Sequence, residues 1–167
     1  CCLLAWLSVR QKDGRVLLRI EDLDYIRYRD PSVIAQLKED LQWFGIVFDN
    51  DCPPESYQSS RFGIYTAYLD RLRQKATVYP CYCSRDQLHA ATAPHAADGQ
   101  TLYTGHCLRY LSGEELPPSK GASLRLHVPK ETVSFHDGVY GDISQCLVQE
   151  CGDFILQRAD GIFSYQL

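Results

Sequence analysis

Methionine is absent from all 167 residues, position 1 included. The chain opens inside an apolar run and closes on Phe163-Ser164-Tyr165-Gln166-Leu167, which reads as an interrupted strand, so a fragment cut at both ends is expected. No apolar run approaches the roughly 18 to 20 residues that a membrane-spanning helix needs, and the apolar stretch 1–7 lacks the length and basic flank of a signal peptide. The expectation is a soluble, cytoplasmic protein without a membrane partner. A basic excess is also missing, because 17 Lys and Arg stand against 21 Asp and Glu for a formal net charge of -4. Any contact with nucleic acid must therefore be local. No Gly-x-Ser-x-Gly or phosphate-loop lysine motif occurs, and His89, His95, His127 and His136 show no catalytic spacing with an acid or nucleophile. Hydrolase readings lose support accordingly. With 45% hydrophobic and 23% charged residues, the chain is suited to one globular domain with a real core.

Eight cysteines raise the possibility of a disulfide framework, but their spacing argues otherwise. Only Tyr82 separates Cys81 from Cys83, and Cys107 follows after Tyr103-Thr104-Gly105-His106, a clustering that suits thiolates converging on one metal ion. Cys1, Cys2, Cys52, Cys146 and Cys151 show no partner spacing and read as free thiols that behave as small hydrophobes. A reducing compartment is consistent with both readings.

Along the chain, Leu3, Leu4, Trp6, Leu7 and Val9 resemble the end of an apolar helix face, and Asp13-Gly14 supplies a turn. Residues 16–20 form a short, nearly continuous apolar run, the pattern of a parallel strand covered on both faces. Asp30-Pro31-Ser32 opens a helix in which Val33, Ile34, Leu37, Leu41 and Phe44 recur at helical spacing until Gly45. A further helix over 61–75 places Ile64, Tyr65, Tyr68, Leu69 and Leu72 on one face. From Tyr79 the character changes to cysteines and then, over 90–99, to small and polar residues without periodicity, which reads as a mobile loop in an insertion. Beyond Gly121 come short alternating runs over 123–128 and 132–135, and Asp160-Gly161 between the apolar runs 154–158 and 162–165 signals a hairpin. The order suggests α/β architecture in the first half and a β-rich second half.

Four strings occur in one order: Arg19-Ile20-Glu21-Asp22-Leu23-Asp24 after an apolar strand, Tyr57-Gln58-Ser59-Ser60-Arg61 before a helix, Tyr79-Pro80-Cys81-Tyr82-Cys83-Ser84-Arg85, and Gly152-Asp153-Phe154 leading to Asp160-Gly161 and Tyr165-Gln166-Leu167. Together they resemble the catalytic half of glutamyl-tRNA synthetases. The metal pattern is similar to that of the glutamyl-Q subfamily, the short relatives without an anticodon domain, in which Cys-x-Cys is followed by Tyr-x-x-x-Cys. The resemblance implies a Rossmann-type class I aminoacyl-tRNA synthetase core, truncated at both ends, with a small zinc-binding insertion. It divides the chain into 1–78 as the first part of the catalytic domain, 79–120 as the insertion and 121–167 as a β-rich return segment. The implied chemistry is activation of glutamate by ATP with magnesium, followed by transfer to the queuosine base of tRNA(Asp), by a monomer. The two ATP signatures of the family, a His-x-Gly-His-like motif and a Lys-Met-Ser-Lys-Ser-like loop, have no counterpart in these 167 residues, so no catalytic residue is assigned and the fragment alone is expected to be inactive. A catalytic-domain fragment of an ordinary glutamyl-tRNA synthetase and a non-catalytic zinc-stabilised binding module are the alternatives.

Each implied site residue has a plainer reading. Glu21 ends the 16–20 run, where ligands of open parallel sheets bind, and a carboxylate there can accept charge-assisted hydrogen bonds from a substrate ammonium. It is otherwise a solvated acid beside Asp22 and Asp24. The resemblance gives Tyr165 a contact with the glutamate substrate through a phenol that donates while its ring packs. It is otherwise one core aromatic among eleven tyrosines. Cys81, Cys83, Tyr103 and Cys107 are the implied zinc ligands, with His106 as a second choice for the fourth position because its adjacency to Cys107 strains the bite. Unliganded thiols are the plain alternative.

Overall fold

The computed structural model of the protein describes residues 2–23, 30–50, 52–84, 87, 103, 105–115 and 121–167. Two compact units are present, Cys1–Thr66 and Ala67–Leu167. The 90–99 segment and Asp24 lie outside the described residues.

In the first unit, α1 (Cys2–Arg10) ends where the Arg10 guanidinium reaches back to Gly14 O at 3.2 Å and across to Asp49 at 2.9 Å and Val47 O at 3.1 Å. Trp6 Nε1 donates to the same Val47 carbonyl at 3.0 Å, so the helix is fastened at two levels to the 47–49 segment. The next helix, α2 (Ser32–Trp43), starts as the Asp30-Pro31 signal requires. Pro31 supplies a pre-set φ of -58°, and Asp30 Oδ1 accepts the otherwise unpaired Ser32 N–H at 2.9 Å. Gly45, at φ +81°, ends it by donating its N–H to Gln42 O at 3.0 Å, a left-handed position that a side chain would strain. Ile20, Leu23 and Ile46 are the buried apolar residues among those described in this unit. Two short 3-10 turns, Pro54–Ser56 and Ser59–Arg61, lead into α3 (Phe62–Lys75), within which the division between the units falls.

The expected strand over 16–20 is corrected by the structure. The segment is extended but joins no sheet among the described residues, its one ladder-like contact being an isolated parallel bridge between Ile20 and Tyr57. The reason lies in who satisfies its backbone. Val16 N–H goes to the Asp49 carboxylate at 2.6 Å, and the Asn50 carboxamide both accepts from Leu18 N–H at 2.8 Å and donates to Leu18 O at 2.9 Å. Asn50 thus does with one side chain what a neighbouring strand does with two backbone groups.

In the second unit, β1 (Val78–Cys81), β2 (Ser123–Leu126) and β5 (Ile155–Gln157) form an antiparallel sheet in the order β1-β2-β5. Pro80 is tolerated because β1 is an edge strand, where a missing N–H breaks no inner ladder. Tyr79, Val128, Leu156 and Phe163 are buried around it. After β5, Gly161 at φ +85° turns the chain back to a bridge between Gln157 and Phe163, so the expected hairpin forms its turn with a second arm of one bridged residue. A separate two-stranded ladder joins β3 (Thr132–Asp137), which contains the alternating run expected over 132–135, to β4 (Gly141–Cys146), which the sequence reading did not mark, and a short helix α4 (Leu147–Glu150) follows. Asp137 Oδ1 closes the β3–β4 turn by accepting Val139 and Tyr140 N–H at 2.8 Å each. Every ladder between named strands is antiparallel. The parallel component expected of a Rossmann-type sheet is limited, among the described residues, to the bridges Ile20–Tyr57 and Tyr103–Gly152.

Candidate metal centre

The end of β1 and the start of a 3-10 helix (His106–Ser112) bring together the residues that carry the cysteine pattern. Cys81 is the last residue of the strand, Cys83 follows it by two, and Cys107 is the second residue of the helix that starts after Gly105 at φ +81°. Their three sulfurs lie within 4.8 Å of one another. Cys83 Sγ is 3.5 Å from Cys107 Sγ, and Tyr103 Oη is 3.5 Å from Cys81 Sγ and 3.9 Å from Cys83 Sγ. A tetrahedral ion with metal–sulfur bonds of about 2.3 Å spaces its sulfurs about 3.8 Å apart, and an oxygen ligand at about 2.0 Å sits roughly 3.5 Å from each of them. The Cys83–Cys107 separation and the two contacts of Tyr103 Oη are of that order, and the three cysteines form a group that can hold a metal ion. His106 is exposed and lines a cleft beside Cys83 and Cys107, but its ring nitrogens are not part of the close group.

Proton affinities in the cluster show what the ion would supply. Burial, the neighbouring Cys107 thiol and the Cys81 sulfur push Cys83 up to about 12. Burial opposes ionisation of Cys81 too, yet hydrogen bonds from Tyr103, the Cys83 backbone and Arg125 outweigh it and hold this thiol below its ordinary value. Tyr103 is raised far above the normal phenol range, chiefly by burial. Without a cation Cys81 ionises more readily than an ordinary thiol and Cys83 resists ionisation. A bound dication reverses that balance by stabilising the thiolates directly. Cys2, Cys52, Cys146 and Cys151 are free thiols, and Cys1 lies outside the described residues.

Behind the cysteines is a buried polar network that spacing in the sequence did not reveal. Asp153, 5% exposed, accepts from Tyr79 Oη at 2.6 Å, from Val128 N–H at 2.9 Å and from His127 Nδ1 at 3.1 Å. Its own carbonyl accepts from Arg125 at 2.6 Å, and the Arg125 guanidinium lies 3.8 Å from the centroid of the Tyr103 ring. His127 thus has an acidic partner 26 positions away, and His136 pairs with Asp142 at 2.7 Å across the β3–β4 hairpin. Asp153 stands in the Gly152-Asp153-Phe154 string, which was the available signal. Arg125 had none, since the alternation over 123–128 draws the eye to its leucines.

The family profile described as "tRNA synthetases class I (E and Q), catalytic domain" matches residues 1–167. The chain belongs to that family. Among curated relatives, this synthetase domain is 37% identical to a glutamyl-Q tRNA(Asp) synthetase of Thiobacillus denitrificans over 163 residues, covering 98% of the chain and 51% of the relative. It is 40% identical to one of Geobacter sulfurreducens over 165 residues, covering 98% of the chain and 50% of the relative. The chain therefore spans about half the length of these relatives. The crystal structure of a glutamate tRNA ligase from Elizabethkingia meningosepticum, in complex with its amino acid, shares the fold with a TM-score of 0.70 at 23% identity, over 98% of this chain and 36% of that one.

The two residues expected to meet glutamate lie in different units of the synthetase domain. Glu21, in the first, has a side chain 46% exposed and pairs with Arg19 at 3.5 Å. The neighbouring Asp22 is committed elsewhere, accepting Ser59 N–H at 2.8 Å and the Ser59 hydroxyl at 2.5 Å, which fixes the Tyr57-Gln58-Ser59 stretch against the end of the 16–20 segment. Tyr165, in the second unit, lies in the turn after Phe163 and is 83% exposed. Both side chains are accessible. No helix among the described residues is long and apolar enough to cross a membrane.

Proposed function

We propose that this chain forms part of the catalytic core of a glutamyl-Q tRNA(Asp) synthetase, which as a whole protein activates glutamate with ATP, releasing pyrophosphate, and passes the glutamyl group to queuosine of tRNA(Asp), while the 167 residues alone are inactive. The observation that carries the reading is the gathered set Cys81, Cys83, Tyr103 and Cys107, whose spacing resembles the metal pattern of that subfamily and whose separations suit a tetrahedral zinc ion. The names of the curated relatives support the same choice. In this reading the zinc is structural. It would fasten the 79–120 insertion to the sheet edge, between the catalytic segments 1–78 and 121–167. Glu21 accepts hydrogen bonds from the ammonium of glutamate, and Tyr165 donates to its carboxylate. Catalysis is by positioning and electrostatic stabilisation of the adenylate-forming transition state, without a covalent protein intermediate. ATP enters with magnesium, and the protein works as a cytoplasmic monomer.

Glutamate-dependent exchange of pyrophosphate into ATP, measured on the protein expressed from the whole open reading frame that encodes this chain, is the deciding test. Exchange without any tRNA is expected. Exchange only on addition of tRNA(Glu) would replace the proposal with an ordinary glutamyl-tRNA synthetase, and no exchange under either condition would favour a non-catalytic binding module. Metal analysis of the protein purified under reducing conditions should find about one zinc per chain, lost in Cys83→Ser.

A further inference from the structure

Arg125 is 6% exposed and carries a full positive charge into the second unit. Buried cations are costly unless an anion or a full set of acceptors answers them. Among the described residues no carboxylate pairs with it. Asp153, the nearest acid in the network, turns its carboxylate to Tyr79, Val128 and His127 and offers Arg125 only its backbone carbonyl, at 2.6 Å. Its Nε–H is buried and has no acceptor among the described residues. The guanidinium lies instead against the face of Tyr103, 3.8 Å from the ring centroid, and Tyr103 Oη touches Cys81 and Cys83.

We propose that Arg125 is the counter-ion and positioning residue of the metal centre, its charge balancing the thiolates and its plane holding the Tyr103 ring in the orientation that aims the phenol oxygen at the ion. A dication bound by three thiolates and a tyrosine oxygen has at least one negative charge in excess, and Arg125 is the buried positive group beside it. Arg suits this place better than Lys for the stack, because its planar guanidinium can lie on a ring while one edge donates to the Asp153 carbonyl. The charge is what the centre needs for affinity, and the stack is what it needs for geometry. This inference rests on the metal-centre reading above and assigns Arg125 no contact with substrate.

The test uses zinc and cobalt(II) with the full-length protein. Wild-type protein must first take up one ion and lose it in Cys83→Ser; failure at that step refutes the metal centre itself, whatever Arg125 does. Zinc affinity is then measured by competition with a chromophoric chelator for Arg125→Gln and Arg125→Lys. Removing an outer partner of this kind weakens metal binding about 10- to 100-fold, so Arg125→Gln should fall by that factor, while Arg125→Lys keeps the charge and should stay within about threefold of wild type. At saturating cobalt the thiolate charge-transfer absorption of Arg125→Gln should keep its wild-type intensity, because all three cysteines still bind. Its ligand-field bands should shift, because Tyr103 is no longer held. Equal affinity of Arg125→Gln and wild type would overturn the proposal. So would a loss in Arg125→Lys as large as that in Arg125→Gln, which would mark Arg125 as a packing residue. If Arg125→Gln does not fold, Arg125→Lys decides alone, a tenfold or larger loss counting against the charge role.

Discussion

Replacing Asp153 by Ala removes one carboxylate and leaves two donors stranded. Tyr79 is fully buried with its hydroxyl 2.6 Å from that carboxylate, and Val128 N–H lies 2.9 Å away beside a side chain 1% exposed. His127 is a lesser loss, since its side chain is 42% exposed and can turn to water. Each buried donor without an acceptor costs about 1–3 kcal/mol, so Asp153→Ala should destabilise the protein by roughly 2–6 kcal/mol. Urea unfolding followed by tyrosine fluorescence reads the change as a drop in the midpoint at nearly constant slope. The double variant Tyr79→Phe with Asp153→Ala provides the sharper check, because removing both partners of a hydrogen bond costs less than removing one. It should be more stable than Asp153→Ala alone by about 1 kcal/mol. A single variant within about 1 kcal/mol of wild type, or a double variant that is simply the sum of both losses, would refute the idea that this carboxylate anchors the network.

Tyr79 also sets a limit at alkaline pH. Burial first, and then the Asp153 acceptor, raise its proton affinity well above the ordinary 10.0, so the folded state holds this proton more tightly than the unfolded chain does. Stability from it is complete well below pH 10 and is lost as pH rises, by about 1 kcal/mol between pH 10 and 11, and Tyr79→Phe should remove that loss from urea midpoints measured over the interval. Gly105→Ala should cost about 1–3 kcal/mol in thermal or urea unfolding and weaken metal uptake, because φ is +81° there and a Cβ would come within 2.7 Å of Leu108 Cδ1. Asn50→Ala strips two hydrogen bonds from Leu18, and a loss of about 1–2 kcal/mol is expected, with faster amide exchange at Leu18 as the local signature.

Much of the local structure was legible because single residues enforce it. Pro31 and Gly45 bracket α2 through a fixed φ at one end and a left-handed φ at the other, and helical spacing of Ile64, Tyr65, Leu69 and Leu72 marked α3. Strands β2 and β3 followed from the alternating runs 123–128 and 132–135, and β5 and the 160–161 turn from the apolar runs around Asp-Gly. The cysteine pattern carried its own proximity, since Cys81 and Cys83 flank one residue and Tyr103 and Cys107 are one helical turn apart. Tyr103 accepts Cys107 N–H at 2.9 Å, the local bond that this spacing permits. What stayed hidden depends on partners far away in sequence. Strand β4 is too polar to announce itself, and it exists because β3 pairs with all six of its residues. The 16–20 run has the composition of a central strand, but composition cannot say that Asp49 and Asn50 will occupy its hydrogen-bonding groups. Arg125 is buried by a ring and a carbonyl contributed from 22 positions before it and 28 after it, information no window of sequence contains.

Two anchors bracket the sequence between Cys83 and Tyr103, continuity with β1 at one end and the isolated bridge from Tyr103 to Gly152 at the other. A chain closed in this way is insulated from changes in its own length. Doubling the number of residues between two fixed anchors costs a flexible chain only about 0.6 kcal/mol of closure entropy. Insertions and deletions between the two anchors should therefore be the cheapest length changes open to this domain. The same number of residues added between Tyr103 and Cys107 would break the one-turn spacing on which the tyrosine's bond to the Cys107 amide depends. Variation in length among proteins built on this plan is thereby channelled to one side of the anchors, and a designer wishing to graft a new peptide onto the domain would find its natural port there.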